Sequence, residues 1–177
     1  RTEIFIQGAG RTDAGVHARQ TYAHFDFDGN IDADFSNRCN SFLPFDIQIV
    51  NCVEVDKDSH CRFDAISRTY EYFISSNKNP FYTNKAFYFY KKLNLELIRQ
   101  AIPLITECSD FSSFSKSNTQ TKTNNCDIQK AIWEHKGDVL VFTIQADRFL
   151  RNMVRAIVGT LVEVGIGKIT LDKVVKI

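Results

Sequence analysis

The sequence predicts an α+β fold with a largely antiparallel sheet. Segments with strand character outnumber helical ones. Helices fall between hairpin-like pairs rather than after every strand, which argues against a doubly wound parallel sheet. At 177 residues, 44% of them hydrophobic, the chain can bury a sizeable core as one domain or as two small halves sharing one.

Residues 3–7 read as a short strand leading into a glycine-containing loop. Residues 20–27 alternate, with Ala23, Phe25 and Phe27 on one face and His24 and Asp26 on the other. Residues 32–42 have helical character and end before Pro44. Residues 46–55 and 65–75, rich in Ile, Val, Tyr and Phe, read as strands, and residues 81–90 as an extended aromatic stretch. Asn94 is suited to cap a helix whose apolar face is Leu97, Ile98, Ala101, Ile102 and Ile105, with Pro103 expected to kink or loosen it. The polar run "SKSNTQTKTNN", residues 115–125, reads as a loop. Residues 128–135 and 139–146 flank "KGD" as a hairpin. Residues 149–164 carry the clearest helical stripe: Phe149, Leu150, Met153, Val154, Ile157, Val158, Leu161 and Val162. Thr170 is placed to cap a last short helix. A strand–helix–strand rhythm occurs twice and points to two related halves.

Composition narrows the function. A net charge of +1 and a pI of about 7.8 are not the footprint of a protein held to nucleic acid by bulk charge, so RNA binding would depend on local clusters. No run approaches the length of a membrane span, and no signal peptide is visible. The five cysteines, at 39, 52, 61, 108 and 126, form no CxxC pair. They argue against zinc and for reduced thiols in a cytosol, acting as small buried hydrophobes. The only Met is Met153, so Arg1 is expected to lie downstream of the native start.

Four segments could carry chemistry. In "GAGRTDAGVHA", residues 8–18, Asp13 stands where a dinucleotide-binding loop would need its third glycine, and no Gly-Lys-Ser/Thr follows. A positioned carboxylate remains, with Gly10 and Gly15 allowing close backbone approach and Arg11 near enough to keep the acid ionised. A surface turn in which Asp13 caps the backbone fits the spacing equally well. In "SRTYEYFI", residues 67–74, Tyr70 and Tyr72 share a strand face beside Arg68; they could stack on an unpaired base or simply pack on the sheet. In "DRFLRNMVRAIVG", residues 147–159, Arg148, Arg151 and Arg155 recur at i, i+3 and i+7, and are expected on one helix face as phosphate contacts, as a carboxylate partner, or as a solvated face. "SDFSSF", residues 109–114, reads as a turn opening a loop.

Taken in order, the first three segments resemble the signature segments of the tRNA pseudouridine synthase A family. "SDFSSF" is similar to the segment that family carries between the second and third. The likeness runs from Gly8 to about Gly167. It implies a pseudouridine-synthase fold of two RRM-like halves sharing a largely antiparallel sheet: residues 1–92, carrying the aspartate loop, and residues 93–177. It implies an isomerase that converts uridine to pseudouridine in the anticodon arm of tRNA, at positions thirty-eight to forty, without cofactor or metal. Such enzymes are cytoplasmic homodimers that enter no membrane. Asp13 then corresponds to the catalytic aspartate, Tyr70 to the tyrosine stacked on the target base, and Arg155 to the arginine paired with the aspartate. Arg11, His17, Arg19, Arg68, Arg148 and Arg151 are the RNA-contacting candidates. The family's usual opening segments, Tyr-Asp-Gly-Thr and Gly-Trp-Gln, are absent, and the only Trp is Trp133. Two other functions fit parts of the pattern. One is an RNA-binding module derived from such an enzyme; the other is a hydrolase using Asp13 and His17, which would need a water-activating partner or metal.

Overall fold

The computed structural model describes residues 3–116 and 122–177. The loop expected over residues 115–125 therefore lies partly outside the described residues. The chain divides into two compact units, Arg1–Ala65 and Ile66–Ile177.

The first unit holds two strands and one helix. Strand β1 (Gln7–Gly8) pairs antiparallel with β2 (Ala23–His24), with Gln7 opposite His24 and Gly8 opposite Ala23. The Ala9 N–H extends the ladder to the Tyr22 carbonyl at 2.9 Å. Both strands are shorter than their alternation predicts. Helix α1 (Phe35–Asn40) occupies the middle of the predicted helical segment. The strand expected over residues 46–55 does not form. Ile49 instead meets the side chain of Asn40, whose Nδ2 donates to the Ile49 carbonyl at 2.8 Å while its Oδ1 accepts the Ile49 N–H at 2.7 Å. A carboxamide thus takes the bonds a neighbouring strand would have made. No described residue of this unit is fully buried.

The second unit contains all of the buried hydrophobic core. Its sheet runs β4–β3–β6–β5, built from β3 (Arg68–Ser75), β4 (Phe87–Tyr88), β5 (Ile128–Lys136) and β6 (Val139–Ala146). The β3–β6 and β6–β5 pairings are antiparallel, and the short β3–β4 pairing is parallel. The α+β architecture with a largely antiparallel sheet is as the sequence predicts. Strand β3, read in sequence as part of the first half, is hydrogen-bonded along its whole length to β6. The predicted hairpin forms: Lys136 pairs with Val139 across Gly137, whose φ of 58° a tight two-residue connection demands. At its open end Gln129 is an extra residue, a bulge between the pairs Ile128–Ala146 and Lys130–Gln145. The aromatic stretch 81–90 is a short 3₁₀ turn (Pro80–Tyr82) followed by the two residues of β4, because Asn79 caps the turn through the Phe81 N–H.

Helices α2 (Leu95–Thr106) and α3 (Met153–Gly165) cover one face of the sheet, and a short α4 (Leu171–Val174) follows Thr170. Asn94 Oδ1 accepts the Glu96 and Leu97 N–H groups at 3.1 and 3.2 Å, the cap its position predicts. Ile98, Ala101 and Ile105 are buried, and Leu97 and Ile102 pack beside them. Helix α2 runs through Pro103, which costs it a single intrahelical bond close to its end. The helices meet closely at Gly165, where an added Cβ would stand 2.8 Å from Ile98 Cδ1. Each fully buried Ile, Leu or Phe on this face contributes ~1.5–3 kcal/mol.

Helix α3 begins four residues later than the stripe predicts. Residues 149–152 form a turn, closed by Asn152 at φ 70° in the left-handed region. Leu150 is nevertheless buried and Phe149 packs on the core, so the apolar period continues while the helix does not. Arg148 and Arg151 therefore do not share a helix face with Arg155, and that expectation is corrected. The cysteines also differ from expectation. All five are free, but only Cys126 is buried, and burial pushes its thiol pKa up.

The segment at residues 109–114 is a tight turn that ends in a short 3₁₀ helix, Ser112–Phe114. Phe111 and Phe114 are buried, and Asp110 Oδ1 accepts both the Ser112 N–H (2.9 Å) and the Ser112 hydroxyl (2.6 Å). Those two donors hold the Asp110 carboxyl below its ordinary value of 3.8. A depressed folded-state pKa adds stability that is present above the ordinary value and lost as pH falls through the folded one. Melting curves between about pH 5 and pH 3 should therefore fall more steeply for the parent protein than for Asp110→Asn, in which this group cannot titrate. Parallel curves would show that Asp110 contributes nothing to acid unfolding.

Candidate active site

The glycine loop lies between β1 and β2 in the first unit. Arg11, Asp13, His17 and Arg19 all sit on it, and all four are exposed. Its chain reverses after Asp13: the Val16 N–H donates to the Asp13 carbonyl at 3.3 Å, and Gly15 takes φ 79°. Only glycine adopts that conformation without a steric penalty. A Cβ at Gly10 or Gly15 would meet no atom within 4 Å, so space is not what requires glycine here. The result is a short turn on which Asp13 is exposed, between Arg11 and His17 in sequence.

The second unit carries the remaining candidates. Arg68, Tyr70, Tyr72 and Ile74 alternate onto the face of β3 that the helices cover. Tyr70 is half-buried, and its ring meets Phe149 edge to face, with centroids 5.1 Å apart. The ring is thereby packed against Phe149 while the residue keeps some exposure. Arg155 is exposed on the first turns of α3. Arg148 is half-buried in the turn between β6 and α3, and Arg151 is exposed there.

Asp147 organises this turn, although no motif or spacing singles it out. Its Oδ1 accepts the Asp127 N–H at 2.8 Å and the Arg148 N–H at 2.7 Å, closing the open end of the β5–β6 hairpin. Its carbonyl accepts from Arg68 Nη1 at 3.1 Å. One residue thus fixes the Arg68 guanidinium, the direction of Arg148 and the departure of the chain toward Phe149. The only signal for it was an aspartate immediately after an apolar strand, a common place for a side chain that bonds nearby backbone. Among the described residues no three His, Cys, Asp or Glu side chains form a metal-ligating group. No helix among them is long and apolar enough to cross a membrane.

Comparison with known proteins then gives the site its context. The sequence model of the tRNA pseudouridine synthase family matches residues 108–177. The tRNA pseudouridine synthase A of Parabacteroides distasonis is 51% identical over 174 residues, covering 97% of this chain and 69% of the relative. The chain belongs to the tRNA pseudouridine synthase family. Two further synthases of the same name, from Azobacteroides pseudotrichonymphae and Bacteroides fragilis, are 46% and 47% identical over 178 and 180 residues. Each alignment covers the whole of this chain, and 72% and 71% of the relative. Both the glycine loop and the α3 turn therefore fall within the stretch shared with these synthases.

The loop's dependence on glycine is open to direct test. Gly15→Ala forces a side chain into the left-handed region at a cost of about 1–2 kcal/mol. Hydrogen exchange at the Val16 amide should speed up accordingly, and Gly10→Ala should leave it unchanged. Equal exchange in the two variants would show that the turn at Asp13 does not depend on Gly15.

Proposed function

We propose that this protein isomerises uridine to pseudouridine in the anticodon stem-loop of tRNA, at positions thirty-eight to forty, with Asp13 as the acting carboxylate. The observation that carries the reading is the exposed Asp13 turn within a chain so similar to named tRNA pseudouridine synthases. The reaction breaks the N1–C1′ bond, rotates the uracil and joins C5 to C1′. The C5 proton leaves, and N1 ends protonated. An ionised carboxylate can attack C1′ or C6, or take a ribose proton. In each case the target nucleotide must leave its stack to reach the carboxylate.

In this reading Tyr70 offers its ring to the detached uracil, and its packing against Phe149 limits its rotamers. Arg155 serves as the cationic partner that keeps the aspartate charged. Arg11, His17 and Arg19 contact the flipped nucleotide and its backbone, and Arg68, Arg148 and Arg151 contact phosphates. The partner is the anticodon arm of a cytoplasmic tRNA, and the working unit is a homodimer. Two local basic grooves acting together suit a chain of net charge +1 better than bulk attraction does.

The decisive experiment is tritium release from [5-³H]uridine tRNA lacking modification. The parent protein should release tritium, and Asp13→Asn should lose turnover on the order of 10³-fold or more while still binding tRNA. Undiminished release by Asp13→Asn would remove the aspartate from its role.

A second test concerns the arginines of the turn. Arg148→Ala and Arg151→Ala should each weaken tRNA binding and lower the slope of log affinity against log salt by about one. An unchanged slope would show that the residue touches no phosphate.

A further inference from the structure

We infer that His24, Cys61 and Gln7 form a hydrogen-bonded node that positions the Asp13 loop for the reaction. The inference rests on the functional reading above and extends it to residues with no direct contact to substrate. It starts from a short ladder. The hairpin that carries Asp13 pairs two strand residues on each side and adds the Ala9–Tyr22 backbone bond, in a unit where no described residue is fully buried. Apolar packing of the kind that fixes the second unit is therefore not what orients this loop.

A polar arrangement at the base of the hairpin supplies the constraint. His24 Nδ1 accepts the Cys61 N–H at 3.3 Å and lies 3.1 Å from Cys61 Sγ. Cys61 Sγ lies 3.3 Å from the Gln7 carbonyl. Gln7 and His24 are the pair that face each other across the ladder. A single residue from a distant part of the chain therefore touches both strands at their paired position.

The donors fix the direction of these contacts. A backbone N–H can only donate, so His24 Nδ1 is the acceptor toward Cys61. The Cys61 thiol then donates to the Gln7 carbonyl and ties the two strands. His60 is fixed by the same reasoning: its Nδ1 accepts the Arg62 N–H at 3.1 Å and the Phe63 N–H at 3.3 Å. The His60 backbone N–H donates to Asp64 Oδ2 at 2.6 Å. Its ring meets that of His24 edge to face, with centroids 4.7 Å apart. Residues 60–64 thus form a closed turn that presents the Cys61 amide and thiol to the hairpin in one orientation.

These bonds are only partly buried, so losing one does not unfold the protein. It releases the hairpin, and a reacting carboxylate displaced by about 1 Å can lose up to about 10²-fold in rate. The expected consequence falls on kcat, with KM for tRNA unchanged.

The test compares His24→Asn with His24→Leu. Asparagine places Oδ1 where the histidine Nδ1 stands and keeps the acceptor; leucine keeps bulk and removes it. His24→Leu should lower kcat for tritium release about tenfold with KM within twofold of the parent, and His24→Asn should recover most of it. Hydrogen exchange at the Ala9 and Val16 amides, read without substrate, should speed up in His24→Leu and stay near the parent rate in His24→Asn. Parent-like exchange in His24→Leu overturns the node, whatever the activity. So does an equal loss of kcat in both variants, or a change confined to KM. If the parent protein releases no tritium, the isomerase reading fails, and the exchange rates alone decide whether the node holds the hairpin.

Discussion

Strand β6 is the constraint on which the second unit depends. It is hydrogen-bonded along both edges, to β3 and to β5, and all but one of its residues are buried. Ile144, Phe142 and Leu140 point to the helix-covered face, where they meet Tyr70, Tyr72 and Ile74 from one side and Ala131 and Trp133 from the other. A one-residue slip of this strand would exchange its faces and remove the core. The register that places Tyr70 opposite Ile144 is thus set by hydrophobic burial. The tyrosine's position follows from packing before any chemistry is asked of it.

The two units are ordered by different physics. In the second, buried apolar side chains set the geometry, and polar contacts such as those of Asp147 finish the ends. In the first, side-chain hydrogen bonds replace the core: the Asn40 carboxamide holds Ile49, Asp32 ion-pairs with Arg38, and His60 accepts two successive backbone amides. Such bonds contribute about 1 kcal/mol each and are directional. They order a segment in which no described residue is fully buried.

The sequence was most legible where burial decides structure. The hairpin, the Asn94 cap and both helix stripes follow from periodicity and capping chemistry, because the residues that carry the pattern also carry the energy. It was less legible where a side chain bonds the backbone. Residues 46–55 have strand composition, but Asn40 takes the bonds of Ile49. Residues 149–152 continue a helical apolar stripe, but Asp147 and Asn152 bend the chain into a turn that buries the same residues. The spacing of Arg148, Arg151 and Arg155 looked like a helix face for this reason alone. At the candidate site, the glycine loop and Tyr70 were visible as motifs. The bonds of Asp147 to Asp127 and Arg68, and the contacts of His24 and Cys61, were not, since those partners lie far away in sequence.

The outer edge of the sheet has a bearing on solubility. Strand β5 is an edge of the four-stranded sheet, and an unpaired edge invites a strand from another molecule. Here the strand begins with the Gln129 bulge, which breaks its flat register, and it carries Lys130, Glu134 and Lys136. Lys136 ion-pairs with Glu134 on its own strand and with Glu71 on β3. A strand docking along this edge would have to match a disrupted ladder and strip water from both signs of charge. The edge is therefore built to resist aggregation, which lets the core strand beside it be as apolar as β6 is without making the protein adhesive.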